Sequence, residues 1–209
     1  MEIVQTSTES MLIIECNDEA SEYMKVPAWY KAYDYLQSSW NWTATWPYIA
    51  PWVPVSSGVV LKIEAKFTNL NTNANEKELF ATYGGGVNLQ CNINSSWISI
   101  NNWSSYTITP TTTSNWTTHT MTCTYNGWTS SSRNPYLFAQ NEWDSAWYGR
   151  WNASYKLYYF KIYQDWVLVR DFQPCIRESD NKPWLRDRAG KTFYTNVSNY
   201  WNDFTVWND

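Results

Sequence analysis

At 209 residues the chain has the length of one all-β domain and can bury about 70% of its extended-chain surface, enough for a true core. A formal net charge of −4 with a pI near 5.0 argues against a phosphate-tracking surface, and therefore against nucleic acid as a partner. Sixteen tryptophans stand against seven glycines, and 19% of residues are aromatic, so some rings are expected at contacts outside the chain.

Residues Met1 to Ala28 differ in character from the rest of the chain. They are acidic, carry no tryptophan, and hold one apolar run, Met11-Leu12-Ile13-Ile14, between Ser/Thr/Glu-rich flanks. A single short strand is not a domain. The segment reads either as an arm that adds its strand to another protein or another copy of this chain, or as an edge strand of its own sheet. Residues 29–209 are the expected folded domain. Met1-Glu2 lacks a positive flank and no cleavable apolar core comes after it, so no secretion signal is read, and no stretch approaches the eighteen apolar residues of a membrane helix.

Trp29 to Leu36 lead into the domain with Tyr30, Tyr33 and Tyr35. An aromatic loop follows, with Trp40, Trp42, Trp46, Tyr48 and Trp52 broken by Pro47, Pro51 and Pro54. Proline at that density forbids a central strand. Rings on a stiff loop lose little entropy on binding, so Trp42, Trp46 and Trp52 join Met11 to Ile14 as expected protein contacts. The alternative is a loop folded back over the sheet.

Val59 to Thr68 alternates Val59, Leu61, Ile63, Ala65 and Phe67 with Val60, Lys62, Glu64, Lys66 and Thr68, a half-buried strand. Asn69 to Lys77 reads as a loop, Leu79 to Tyr83 as a strand, and Gly84-Gly85-Gly86 as a turn. Without a GKS or GKT element and a following helix, the triple glycine is no phosphate cradle. Val87 to Ile93, Trp97 to Ile100, Tyr106 to Thr109 and Trp116 to Tyr125 read as further short strands. His119 is a strand residue without catalytic duty. Asn126-Gly127 signals a hairpin.

Tyr136 to Gln140 is the next expected strand, and Glu142 to Trp151 the loop after it. Glu142 and Asp144 fall on one face at period two, as glycoside hydrolysis in related folds needs, but the next acid of an ExDxxE pattern would stand where Trp147 does. The acid/nucleophile set is incomplete, so no catalytic residue is assigned. The same loop offers rings beside a hydrogen-bonding acid, so Trp143, Asp144, Trp147 and Trp151 are candidate carbohydrate contacts; packing on a neighbouring subunit is the alternative.

Leu157 to Tyr163 alternates with Tyr158, Phe160 and Ile162 on one side, and Val167 to Phe172 resumes after Gln164-Asp165-Trp166, giving a hairpin. Pro174 places the exit of its second strand at or before Gln173. The charged segment Arg177 to Arg188 reads as a solvated crossover, and Thr192 to Thr195 as the last strand. Arg170 and Asp171 face opposite ways along a strand, so each is expected to anchor a different neighbour.

Several of these words carry a resemblance: Tyr136 to Ala139, the strand Leu157 to Tyr163, Leu168-Val169-Arg170-Asp171-Phe172, Pro174-Cys175, and Phe193-Tyr194-Thr195-Asn196, with Tyr35 to Ser39 and Val60 to Phe67 upstream. Together, from Tyr33 to Asn196, the chain resembles the concanavalin A-like, LamG-like jelly-roll modules found in structural proteins of tailed bacteriophages and in bacterial surface proteins. That resemblance implies a sandwich of two antiparallel sheets. The family has glycine at the hairpin turn and again before the last strand, where this chain has Trp166 and Trp184; a large ring does not take φ > 0 cheaply, so both turns are expected to differ in type.

The resemblance names a scaffold before an activity. It implies a non-enzymatic virion protein, a head or tail fibre or decoration module, assembled in the host cytoplasm. Other virion proteins would be its partners through the arm; a homo-oligomer is expected, and a host-surface glycan is a candidate ligand. A freestanding carbohydrate-binding module or glycan hydrolase is the alternative. No cofactor or metal is expected, since His119 is the lone histidine. Cys16, Cys91, Cys123 and Cys175 form no CxxC pair and are expected as thiols, with Cys91 and Cys123 able to meet across neighbouring strands.

Overall fold

A computed structural model describes residues 30–38, 47–70, 78–84, 87–93, 97–113, 116–129, 132–142, 149–150, 154–197 and 204–208. The described residues contain no helix. In chain order the strands are β1 (Tyr30–Ala32), β2 (Tyr35–Gln37), β3 (Leu61–Asn69), β4 (Glu78–Gly84), β5 (Val87–Ile93), β6 (Ile98–Asn101), β7 (Ser105–Thr109) and β8 (Thr118–Tyr125). Then come β9 (Tyr136–Leu137), β10 (Gln140–Glu142), β11 (Gly149–Arg150), β12 (Tyr155–Gln164), β13 (Val167–Arg177), β14 (Lys182–Asp187), β15 (Thr192–Tyr194) and β16 (Thr205–Trp207).

They form a two-layer β-sandwich. One layer is ten-stranded, with β15-β14-β13-β12-β3-β8-β7 as its spine and β1, β2 and β16 attached; the other is six-stranded, ordered β11-β10-β4-β5-β6 with β9 beside β4. Pairing is antiparallel except between β4 and β10, where Ala81 to Tyr83 run parallel to Gln140 to Glu142. The expected single strand at Tyr136 to Gln140 is therefore two. Leu137 pairs antiparallel with Phe80, Phe138 takes φ 68°, and the chain resumes as β10 in the other direction along the same strand.

Alternation fills the space between the layers. Leu61, Ile63, Ala65 and Phe67 of β3 turn inward, as do His119, Met121, Cys123 and Tyr125 of β8. Phe160 of β12 lies 5.0 Å from Phe80 of β4, ring centre to ring centre. The buried Tyr155 hydroxyl donates to the Ile93 carbonyl at 2.7 Å and accepts the Ile93 N–H at 3.2 Å, tying β12 to the opposite layer. His119 packs on Phe67 with Nδ1 2.9 Å from the Pro110 carbonyl oxygen, and burial lowers its pKa, as befits a strand residue.

Cys91 and Cys123 do meet, but across the core rather than across adjacent strands: one lies on β5, the other on β8, with Sγ atoms 3.9 Å apart. Both are buried free thiols, as is Cys175. Burial pushes Cys91 well above the ordinary thiol range and Cys175 up to about 12. At pH 8 the Cys175 thiol is ionised in about one molecule in ten thousand, the thiolate is the nucleophile, and all three sulfurs are buried away from reagent. Iodoacetamide followed by peptide mapping should therefore leave Cys91, Cys123 and Cys175 unmodified in native protein and label all three in guanidinium. Rapid native labelling of Cys91 would contradict the packing.

Several further sequence expectations are corrected. The β12 alternation slips at a bulge between Leu157 and Tyr159, so Leu157 is buried and Tyr158 faces outward, its hydroxyl 3.2 Å from Thr68 Oγ1. An extra residue in one strand moves the following side chains to the other face.

The β12–β13 turn does carry a tryptophan at positive φ, Trp166 at 69°, after Asp165 at 47°. Two positive-φ residues are what a type I′ hairpin turn requires. The Asp165 amide donates to the Val60 carbonyl and its Oδ1 accepts the Val60 N–H, each at 2.9 Å, and these bonds offset the strain. Trp184, for its part, sits inside β14 opposite Cys175, and the turn before β15 holds Gly190 instead.

Pro174 lies within β13. Phe172 is opposite Phe160 of β12, whereas Cys175 is opposite Ala32 of β1. Proline falls at the join between the two neighbours, where its carbonyl accepts the Tyr33 N–H at 3.0 Å and no ladder amide is demanded of it. The segment from Arg177 to Arg188 is no crossover: it turns back as β14, with Leu185 and Asp187 fully buried.

Asn126-Gly127 joins no hairpin, because the next strand, β9, belongs to the opposite layer. The Tyr125 ring lies so close that a Cβ at Gly127 would stand 2.8 Å from it, so the glycine serves close approach. Finally, Thr192–Tyr194 is followed by β16, which pairs with β2.

Candidate functional site

One end of the sandwich is built where β3 begins, β8 ends and β12 turns into β13. Leu61 is opposite Gln164 on one side and Tyr125 on the other. Three connections converge there. The 51–60 connection is pinned to the hairpin by Gln164 Nε2 on the Pro54 carbonyl (3.4 Å) and by Arg170 Nε on the Pro51 carbonyl (3.0 Å). It is pinned to the 132–133 segment by the Val55–Arg133 bridge and by Ser56 Oγ against Ser132 Oγ at 3.0 Å. The 126–129 connection is held by the Tyr125 hydroxyl, which donates to the Trp128 carbonyl at 3.1 Å.

Each connection presents one tryptophan to solvent: Trp52 is 60% exposed, Trp128 77% and Trp166 66%, with Val167 at 65% beside the last. In the first, Pro51, Val53 and Val55 turn inward, so Trp52 between them turns out. Trp52, like Trp166, has a left-handed backbone, at φ 53°. A left-handed φ at a residue other than glycine costs about 1–3 kcal/mol and persists where the surrounding hydrogen bonds over-determine it.

Residues 51–60, 126–129 and 164–167 carry one ionisable side chain, Asp165, already engaged with Val60. These connections are thus aromatic, carry little charge of their own and are fringed with hydroxyls and amides, with Arg133 and Arg170 beside them. Such a surface can bind the apolar faces of sugar rings or serve as an anchor region for protein, where tryptophan contributes most.

Of the residues read as contacts in the sequence, Trp52 lies in this surface. Met11, Leu12, Ile13, Ile14, Trp42, Trp46, Trp143, Asp144, Trp147 and Trp151 lie outside the described residues. Tyr48, from the same aromatic loop, is buried and stacked on Tyr136 with ring centres 4.6 Å apart, so that part of the loop does cover the sheet. Glu142 ends β10. Among the described residues no three His, Cys, Asp or Glu side chains converge as metal ligands would. Sequence reasoning passes over Trp128 and Trp166; Trp128 directly follows Asn-Gly, Trp166 is the second residue of the β12–β13 turn, and a large ring at such a tip points away from the core.

The outer face of the ten-stranded sheet has a different character. Lys62, Lys66, Lys156 and Lys161 lie over the rings of Tyr163 (4.9 Å), Tyr158 (4.9 Å), Tyr35 (4.1 Å) and Tyr159 (5.9 Å). Among them Glu64 receives Lys62 Nζ at 2.7 Å and the Tyr163 hydroxyl at 3.0 Å. Burial raises the Glu64 pKa, but those two hydrogen bonds outweigh it and hold the carboxyl below its usual range. Burial and the bond to Glu64 push Tyr163 up to about 12.

Comparison with protein-family models, with curated proteins and with solved structures returned no match.

Proposed function

We propose that the chain is a non-enzymatic structural module of a tailed-phage-type virion, a concanavalin A-like jelly roll displayed as a fibre or decoration element that grips an external surface. The observation that carries this reading is the exposure of Trp52, Trp128 and Trp166 on three separate connections at one end of the sandwich. The order of residues 157–172 and 193–196, which resembles such modules, supports the particle setting. Residues 1–28 would dock the module on its neighbours, and several copies acting together would turn weak contacts into firm attachment.

A freestanding carbohydrate-binding module is the second reading, favoured by the same aromatic end. Two measurements separate them. Mass spectrometry of gradient-purified particles should find the chain at stoichiometric level, and its absence from particles would remove the virion reading. The triple variant W52A/W128A/W166A should melt within about 2 °C of the parent, since exposed side chains contribute little to stability, while adsorption to host cells falls at least about tenfold if those rings are the anchors. Unchanged adsorption would remove the tryptophan end from the mechanism.

A further inference from the structure

The outward residues of β3 and β12 include four lysines, Lys62, Lys66, Lys156 and Lys161, against one carboxylate, Glu64, in a chain whose net charge is −4. Asp171, opposite Lys161 on β13, is bonded to Arg188 at 2.8 Å and does not neutralise the face. Beside the lysines lies a trough of about 120 Å³ lined by Glu64, Tyr159, Met121, Thr107, Thr109, Thr120 and Thr122. Register explains it: Thr107 and Thr109 of β7 are opposite Thr122 and Thr120 of β8, so two rows of short side chains leave a floor below the Tyr159 ring.

We propose that this face binds an acidic polysaccharide, with one sugar ring seated in the trough and the polymer's carboxylate or sulfate groups on Lys66 and Lys161. The inference rests on the adhesive reading above for its purpose, although the site stands on its own lining. Glu64, kept ionised by Lys62 and Tyr163, retains lone pairs that accept from sugar hydroxyls. The threonine hydroxyls both donate and accept, and Tyr159 offers an aromatic ring on which the sugar's C–H face can pack. Lys66 is opposite Tyr159 and Lys161 is opposite Glu64 in the β3–β12 ladder, so each of the two lysines stands beside a lining residue of the trough.

Charge complementarity alone would also admit single-stranded nucleic acid, but that ligand needs free aromatic faces for base stacking. Here the Tyr35, Tyr158 and Tyr163 rings each have a lysine ammonium within 5 Å, and the trough floor is hydroxyl rather than aromatic.

The test is calorimetric titration of the full chain with galacturonate, polysialate and heparin hexasaccharides, with mannohexaose and a dT dodecamer as controls. At least one acidic hexasaccharide should bind, more weakly as salt rises, and K66Q/K161Q should weaken it at least about tenfold. T120V/T122V should weaken it too, without a change in the salt dependence. The proposal is overturned if none of the three acidic sugars binds, if the dT dodecamer or mannohexaose binds better, or if K66Q/K161Q has no effect. Loss of sugar binding in W52A/W128A/W166A, with K66Q/K161Q unaffected, would also overturn it, while leaving the adhesive role intact at the other surface.

Discussion

Asp187→Ala is expected to destabilise the protein by about 3–5 kcal/mol, the range seen when one partner of a buried ionic network is removed. Asp187 is fully buried at the end of β14. Its Oδ1 accepts the backbone N–H groups of Asp171 (2.9 Å) and Ala189 (3.1 Å), which joins β13 to the turn before β15. Its Oδ2 lies 3.6 Å from Arg170 Nε, close enough for charge attraction but too far for a hydrogen bond. Arg170 is partly solvated, so the loss of that attraction is screened, and the two backbone amides left without the carboxylate dominate the cost.

Asp187→Asn should therefore be milder, since an amide oxygen can still accept both N–H groups. Gly190→Ala should be harmful by the same logic, because its new methyl would collide with Oδ2 of Asp187. Thermal melts should put D187A roughly 10 °C below the parent, at about 2–4 °C per kcal/mol for a domain of this size. A shift under about 2 °C for D187A would show that the carboxylate does not organise this corner.

Phe160→Ala should cost a similar amount, about 3–5 kcal/mol, for a different reason. Phe160 is fully buried in the middle of β12, between Ala65 and Phe172 on the neighbouring strands, and its ring meets Phe80 of the opposite layer at 5.0 Å. Truncation leaves a cavity that two sheets, each held by its own ladder, cannot close. Phe160→Leu, which keeps more of the volume, should cost less. Denaturant titration distinguishes a cavity from a loosened native state, because a cavity lowers the midpoint and leaves the slope unchanged. A midpoint for F160A equal to the parent's would mean the layers are not packed through this ring.

The regular strands were legible because period two survives wherever one face is buried. β3 and β8 appear at nearly their expected bounds for that reason, as do β5, β6 and β7. What failed was local, and each failure has a long-range cause. The outward turn of Tyr158 depends on a bulge that only the partner strand defines. Trp166 accepts positive φ because Val60, distant in sequence, bonds Asp165 on both sides. Pro174 is tolerated in β13 because the strand changes neighbours there, and Asn126-Gly127 looks like a hairpin in any window too short to show that the next strand joins the opposite layer.

The charged run from 177 to 188 misled for a related reason. Arg177 and Asp180 pair with each other at the tip, which reads as a solvated surface, while Leu185 and Asp187 a few residues later go to the interior. As for the contact surface, the surplus of indole rings was evident from composition, and Trp52 was picked out by its prolines. Trp128 and Trp166 join it only once β3, β8 and β12 are aligned, which composition cannot express.

Strand β2 sits between β12 and β16, with Leu36 opposite both Leu157 and Val206. A ribosome working at about 5–20 residues per second needs on the order of ten to forty seconds to travel from the first of these residues to the last. Throughout that time the tyrosine-rich opening of the domain lacks at least one flank to pair with, and its backbone donors are offered to any passing strand. The larger layer is thus completed only after Val206 has been made. The nascent protein is most prone to aggregate before that point, so slower translation should not improve its yield, whereas a chaperone that shields extended segments should.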